Sequence, residues 1–220
     1  MKINKLDLLI SIYIFCIAVS ELMGGKTFPV LNIFGYQLNS SVAIFVLPIV
    51  YSINDVITEV FGPERTRSLV RSGLIVVALI LLFSLLATNL PPSKRFEPNE
   101  KAYDAIFTTS ARIAGASLTA FALAEFLDVL IFVRIRQKLG KSKLWLRNNL
   151  SNFLAQFIDT AVFMSLAFYA LDKPFGNNIN FMWSLIFPYW LVKCFMSIIE
   201  TPFVYLGVKW LRSENDSKSN

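Results

Sequence analysis

Histidine is absent from this chain of 220 residues, and cysteine occurs only twice. Without histidine, the protein lacks the commonest general base and the commonest metal ligand. Both cysteines, Cys16 and Cys194, fall inside apolar stretches, so neither a disulfide framework nor a cysteine-ligated metal is expected. A glycine-rich phosphate loop and a nucleophile with an adjacent base are also missing. These absences argue against an enzyme and predict neither a cofactor nor a metal site.

Charged residues make up only 16% of the chain, whereas hydrophobic residues make up 55%. The hydrophobic residues form six stretches of about 20 residues or more, and each is long enough to cross a hydrocarbon core of roughly 30 Å as a helix. The stretches are Leu6–Gly24, Ser41–Val60, Gly73–Leu90, Ala105–Val133, Leu150–Leu171 and Trp183–Leu211. The sequence therefore predicts an all-α polytopic membrane protein with six transmembrane helices.

The connections between the stretches are too short to hold a soluble domain. We therefore expect a single six-helix transmembrane domain over residues 1–212 and a disordered polar tail over residues 213–220. A short basic loop, Glu64–Arg71, is expected between the second and third stretches. Aromatic residues flank the last stretch, and we interpret them, including Tyr189, as an interfacial belt.

The net charge of +6 is distributed unevenly. If the N-terminus lies in the cytoplasm, 14 of the 21 basic residues fall on the cytoplasmic side and 5 on the outer side. The remaining two, Arg112 and Lys193, lie within the stretches. This asymmetry follows the positive-inside rule, so it predicts that both termini are cytoplasmic. It also accounts for the basic excess without nucleic acid as a partner.

Polar side chains recur within the apolar stretches at helical spacing, so those of one stretch share a helix face. An ionisable group inside a membrane costs about 2.5–3.5 kcal/mol, and such groups are kept mainly where they face a cavity, a partner or a ligand. The residues concerned are Glu21, Asp55, Glu59, Arg112, Glu125, Asp128, Asn152, Gln156, Asp159, Lys193 and Glu200. The pattern predicts a bundle with a polar centre and a kink in the last helix at Pro202.

A purely structural role stays open for several of these residues, because an ion pair between helices also explains a buried charge. The candidate pairs are Asp55 and Glu59 with Arg65 or Arg67, Arg112 with Glu21, and Lys193 with Asp159 or Glu200.

The segment Asn54-Asp55-x-x-Thr58-Glu59-x-Phe61-Gly62, followed by Arg67, resembles the signature of the queuosine precursor transporter family. The resemblance continues over nearly the whole chain, although Phe61 stands where a tyrosine is expected. The further matching residues are Arg112, Ser117, Asp128, Trp145, Arg147, Ser151, Gln156, Asp159, Lys193, Thr201, Pro202 and Tyr205.

This resemblance implies a multi-pass protein of the bacterial inner membrane that imports 7-deazaguanines. These are 7-cyano-7-deazaguanine, 7-aminomethyl-7-deazaguanine and queuine. It also implies a fold similar to the substrate-binding membrane subunits of energy-coupling-factor importers.

A deazaguanine is flat and rich in hydrogen-bond donors and acceptors, so a carboxylate and an amide on one helix face could read its edge. Gln156 and Asp159 supply that pair, and aromatic residues such as Tyr51 could stack on the ring. The candidate substrate-binding residues are Asn54, Asp55, Arg112, Asp128, Gln156, Asp159 and Lys193. The candidates for gating or structural ion pairs are Glu21, Glu59, Glu125 and Glu200.

Two other functions stay open. The chain could carry another small heterocycle or a vitamin, or it could be a non-transporting structural subunit of a membrane complex. The expected partners are the small-molecule substrate and the lipid bilayer, and the sequence leaves open whether the chain forms a homo-oligomer.

Overall fold

The computed structural model describes the backbone of residues 4–139 and 144–219. The side chains of residues 33, 125–152, 155, 196–201 and 213–219 lie outside the described residues. Long helices dominate the described chain, and their bounds are α1 (Lys5–Met23), α2 (Leu47–Phe61), α3 (Pro63–Thr88), α4 (Glu100–Leu139), α5 (Leu144–Phe168) and α6 (Phe175–Ser219). Helix α6 therefore includes most of the segment 213–220, which we expected to be a disordered tail.

The join between α2 and α3 consists of Gly62 alone. Its φ of 85° and ψ of 167° are a combination that essentially only glycine adopts. Pro63 follows in the first turn of α3, where its missing N–H costs nothing. The predicted basic loop Glu64–Arg71 is therefore wrong, because these residues form the first turns of α3. A single glycine completes the change of direction that we had assigned to a loop.

The connection after α1 is a two-stranded antiparallel hairpin, β1 (Thr27–Ile33) and β2 (Tyr36–Ser41). Phe34 and Gly35 form its turn, and both have positive φ, 51° and 84°. Two-residue turns of this kind match the twist of a hairpin. The all-α prediction is therefore wrong for this segment.

Two hydrogen bonds attach the hairpin to the first turns of α6. The Tyr36 hydroxyl donates to the carbonyl of Asn180 at 2.7 Å. The Asn39 amide donates to the Ser184 hydroxyl at 2.9 Å. The hairpin is therefore fixed against the bundle at the end where α1 finishes and α6 begins.

The helices pack through several buried apolar clusters rather than one. Tyr13, Ile53, Ile57 and Leu69 join α1, α2 and α3. Other clusters join α5 to α6 and α4 to α5. At the opposite end from the hairpin, the Lys5 ammonium donates to the carbonyl of Trp210 at 2.6 Å. The start of α1 therefore lies beside the last turns of α6.

The outward faces of the helices are apolar, as expected for a protein surrounded by lipid. On α3, large side chains such as Leu79, Leu82 and Phe83 are exposed. Within the described residues, four segments are long and apolar enough to cross a membrane: Lys5–Met23, Val42–Phe61, Pro63–Thr88 and Glu97–Ala124. The chain is thus a multi-pass membrane protein, and the spans of the last two helices stay a prediction.

Candidate functional site

A cavity of about 280 Å³ lies between the helices. All six helices contribute to its wall, together with the end of β2 at Ser41. Most of the wall is aliphatic or aromatic, including Tyr51, Phe121 and Phe163. Its volume is close to the lower limit of roughly 300 Å³ that is usual for small-molecule sites. The cavity therefore suits a compact ligand, such as one fused ring system.

An ion pair between Lys193 on α6 and Asp159 on α5 forms part of the wall. The Lys193 Nζ lies 2.6 Å from the Asp159 Oδ2, and the two side chains are 14% and 29% exposed. Tyr51 and Tyr189 are near enough to Lys193 to interact with it electrostatically. An ammonium has three protons and a carboxylate has two oxygens, so this pair keeps donors and acceptors for a ligand.

Tyr189 is 4% exposed, and its hydroxyl donates to the carbonyl of Ser41 at 3.1 Å. Tyr189 therefore faces the interior of the bundle and not the lipid, so our interpretation of this residue as part of an interfacial aromatic belt is wrong. Ser41 in turn donates to the carbonyl of Gly24, which joins the end of the hairpin to the end of α1.

Glu21 and Thr160 also line the cavity, and both are buried, with 6% and 1% of their surface exposed. Within the described part of the chain, Glu21 Oε2 and Thr160 Oγ1 have no hydrogen-bond partner. The Ser117 hydroxyl on α4 faces the Glu21 carboxyl group. Unsatisfied buried polar atoms are rare, and these two belong to residues of the cavity wall, so a ligand in the cavity could supply the missing partner.

Residues 41–207 match the family model described as "Putative vitamin uptake transporter". This match covers well over half of the chain. The chain belongs to this family. The matched residues include Ser41, Asp159 and Lys193, whereas Glu21 precedes them.

Three curated proteins resemble this member of the vitamin uptake transporter family. The "Probable queuosine precursor transporter" of Bacillus subtilis (strain 168) is 30% identical over 78% of this chain and 72% of its own length. The protein of the same name in Haemophilus influenzae is 28% identical over 74% and 66%. The "Queuosine precursor transporter" of Escherichia coli (strain K12) is 28% identical over 60% and 56%. These relatives are named as transporters and not as enzymes. No solved structure matches the chain.

Several residues that the sequence proposed for this family member do not line the cavity among the described side chains. Asp55 and Glu59 are exposed, and Glu59 lies 3.4 Å from Arg212 rather than beside Arg65 or Arg67. Gln156 and Asn54 are half-buried and are not part of the cavity wall, and the amide oxygen of Asn54 has no described partner. Of the two residues that we expect to act together, Asp159 lines the cavity and Gln156 does not.

Arg112 connects α4 to the end of α5. Its Nε donates to the carbonyl of Leu166 at 2.8 Å, and its Nη2 donates to that of Tyr169 at 2.6 Å. The last carbonyls of a helix have no partner within the helix, and a cation there also interacts favourably with the negative end of the helix dipole. Arg112 is thus placed as a cap of α5, and the structure does not pair it with Glu21.

Three further residues from the sequence prediction have side chains outside the described residues, namely Glu125, Asp128 and Glu200. Among the described residues, no group of three metal-ligating side chains comes together.

Sequence reasoning missed several polar members of the cavity wall, because hydroxyl groups are common in apolar helices and carry no charge. Thr160 directly follows Asp159, and this is the one signal that could have indicated it. Ser117 was named only as a residue that matches the family, and Ser41 only as the first residue of an apolar stretch. Glu21 was identified as polar within a span, but its role was assigned to gating or to a structural ion pair.

Proposed function

We propose that this protein imports queuosine precursors, the 7-deazaguanines, across the inner membrane of a bacterium. Membership of the vitamin uptake transporter family and the names of three relatives support a transporter of this kind. The observation that carries the proposal is the ion pair between Lys193 and Asp159 in the wall of a cavity inside the bundle. A charged pair of this kind, facing a cavity within a membrane, is typical of a substrate pathway.

The ion pair fits the shared edge of the 7-deazaguanines, which carries a carbonyl, a ring N–H and an amino group. Lys193 can donate to the carbonyl with the protons that Asp159 does not use, and Asp159 can accept from the N–H groups. The flat ring needs apolar walls, and Tyr51 and Phe163 are available in the cavity for this purpose. The compact volume of the cavity also agrees with a bicyclic substrate.

We further propose six membrane spans with both termini in the cytoplasm. The positive-inside asymmetry supports this orientation. The contact between Lys5 and the carbonyl of Trp210 supports an even number of spans, because it brings the start of α1 next to the end of α6. A fold similar to the substrate-binding subunits of energy-coupling-factor importers belongs to the same proposal.

A vitamin or another small heterocycle is the second candidate substrate, because the description of the family names vitamin uptake. The deciding experiment uses the purified chain in liposomes with labelled 7-cyano- and 7-aminomethyl-7-deazaguanine, with and without a pH gradient. We expect uptake that unlabelled deazaguanines suppress and that vitamins such as riboflavin or biotin do not.

Empty liposomes are the first control for this experiment. Glu59→Gln is the second, because Glu59 is an exposed carboxylate outside the cavity wall. Uptake no greater than in empty liposomes would favour a structural subunit. Suppression by a vitamin alone would favour the second candidate.

A further inference from the structure

The formal charges of the cavity do not balance within the described residues. Three charged side chains line it: Glu21, Asp159 and Lys193. Asp159 and Lys193 neutralise each other across 2.6 Å. Glu21 is left as a second carboxylate, is 6% exposed, and has an Oε2 without a hydrogen-bond partner among the described groups.

Among the described side chains, the groups that face Glu21 are polar but carry no positive charge. Ser117 faces its carboxyl group, and Thr160 adds a second hydroxyl without a described partner to the same cavity. Arg112, the cation that we expected beside Glu21, is held by the carbonyls of Leu166 and Tyr169. A hydroxyl can donate to a carboxylate but cannot neutralise it. A ligand with a positive charge would neutralise the Glu21 carboxylate.

We propose that Glu21 binds the cationic group of the substrate and selects the positively charged precursor, 7-aminomethyl-7-deazaguanine, over the neutral 7-cyano precursor. This inference rests on the proposed function, and it adds a division of roles within the cavity. Lys193 and Asp159 bind the edge that both precursors share. Glu21 binds the substituent at position 7, the one in which they differ.

The first test replaces Glu21 by glutamine, which keeps the size of the side chain and removes its charge. We expect uptake of the aminomethyl precursor at low concentration to fall by about tenfold to a hundredfold, the range for a hydrogen bond between charged groups. Uptake of the neutral cyano precursor should stay within about twofold. Because both precursors are measured on the same liposomes, transport of the cyano precursor also reports that the variant is folded.

Two variants serve as matched controls. Glu21→Asp keeps the charge and should keep most of the preference for the aminomethyl precursor. Glu64→Gln removes an exposed carboxylate that pairs with Arg67 outside the cavity, and should change neither uptake.

A second test uses the unchanged protein, so its result does not depend on how a variant folds. Uptake of labelled cyano precursor is measured against unlabelled 7-aminomethyl- and 7-methyl-7-deazaguanine. These competitors differ mainly in the charged amine. We expect the aminomethyl compound to compete at least about tenfold more strongly.

Four results would overturn the inference. They are equal competition by the charged and neutral compounds, an equal loss of both uptakes in Glu21→Gln, no loss of either, and transport of the cyano precursor alone by the unchanged protein. In each of these cases the proposed function stands, because a deazaguanine is still transported. If the unchanged protein transports neither precursor, the proposed function fails as well.

Discussion

Replacing Lys193 by methionine would separate a structural role of the ion pair from a role in transport. The change leaves Asp159 without its partner at 2.6 Å. Breaking a fully buried pair costs about 3–5 kcal/mol, whereas an exposed pair contributes about 1 kcal/mol or less. Since the two side chains are 14% and 29% exposed, we expect the loss to lie between these limits, at about 2–3 kcal/mol.

The double variant, Lys193→Met with Asp159→Asn, decides between the two roles. It removes the unpaired charge, so thermal stability in detergent should recover most of what the single variant loses. If the pair binds substrate, uptake of both deazaguanines should stay at least about tenfold below that of the unchanged protein, since ligand groups remain unpaired. Full recovery of uptake together with stability would refute the transport role.

The ion pair of Glu59 with Arg212 provides the matched control. Its atoms are 3.4 Å apart, and its side chains are 65% and 56% exposed. Arg212→Met should therefore cost about 1 kcal/mol or less and leave uptake unchanged. A comparable loss in both pairs would mean that removal of any basic side chain destabilises the bundle, and the reasoning from burial would fail.

Three further outcomes are expected. Arg112→Met should lower stability by about 1–3 kcal/mol, because carbonyls at the end of α5 lose their donors. The ratio between the uptakes of the two precursors should stay the same. A changed ratio would place Arg112 at the substrate. Gly62→Ala should lower stability by about 1–3 kcal/mol, because a residue with a side chain is strained at the φ of 85° and ψ of 167° that Gly62 adopts. An unchanged melting temperature would contradict these backbone angles. A cysteine at Lys94 should react with an impermeant reagent added outside cells, and one at Lys209 only after permeabilisation; the reverse pattern would reject the proposed orientation.

The helices could be predicted from the sequence because runs of apolar residues in a membrane protein have few alternatives. Their ends were harder to predict. The start of α3 was misplaced because a glycine followed by proline usually indicates a loop, and only the backbone angles of Gly62 reveal a one-residue join. The hairpin was missed because a helical transmembrane pattern gives no reason to look for strands in the connection between two spans.

The candidate site could be predicted only in part, since spacing identifies polar faces within one helix but not the partners across helices. Lys193 had two candidate carboxylates, Asp159 and Glu200. Packing of α5 against α6 brings Asp159 to 2.6 Å from Lys193, while the side chain of Glu200 lies outside the described residues. The acceptors of Arg112 are backbone carbonyls, which no residue type reveals. Gln156 and Asp159 are close in sequence, yet the described structure includes only Asp159 in the cavity wall.

Among the described residues, two groups of polar side chains differ in their hydrogen bonding. Arg112 donates to two backbone carbonyls, and the Asn178 side chain bonds both the N–H and the carbonyl of Ala170. These residues hold helix ends and connections in place. Glu21 and Thr160 face the cavity, and each has an atom with no partner in the described structure. Because a protein in a bilayer has little else to satisfy such atoms, residues of the second group are better candidates for ligand contact than charge alone would indicate.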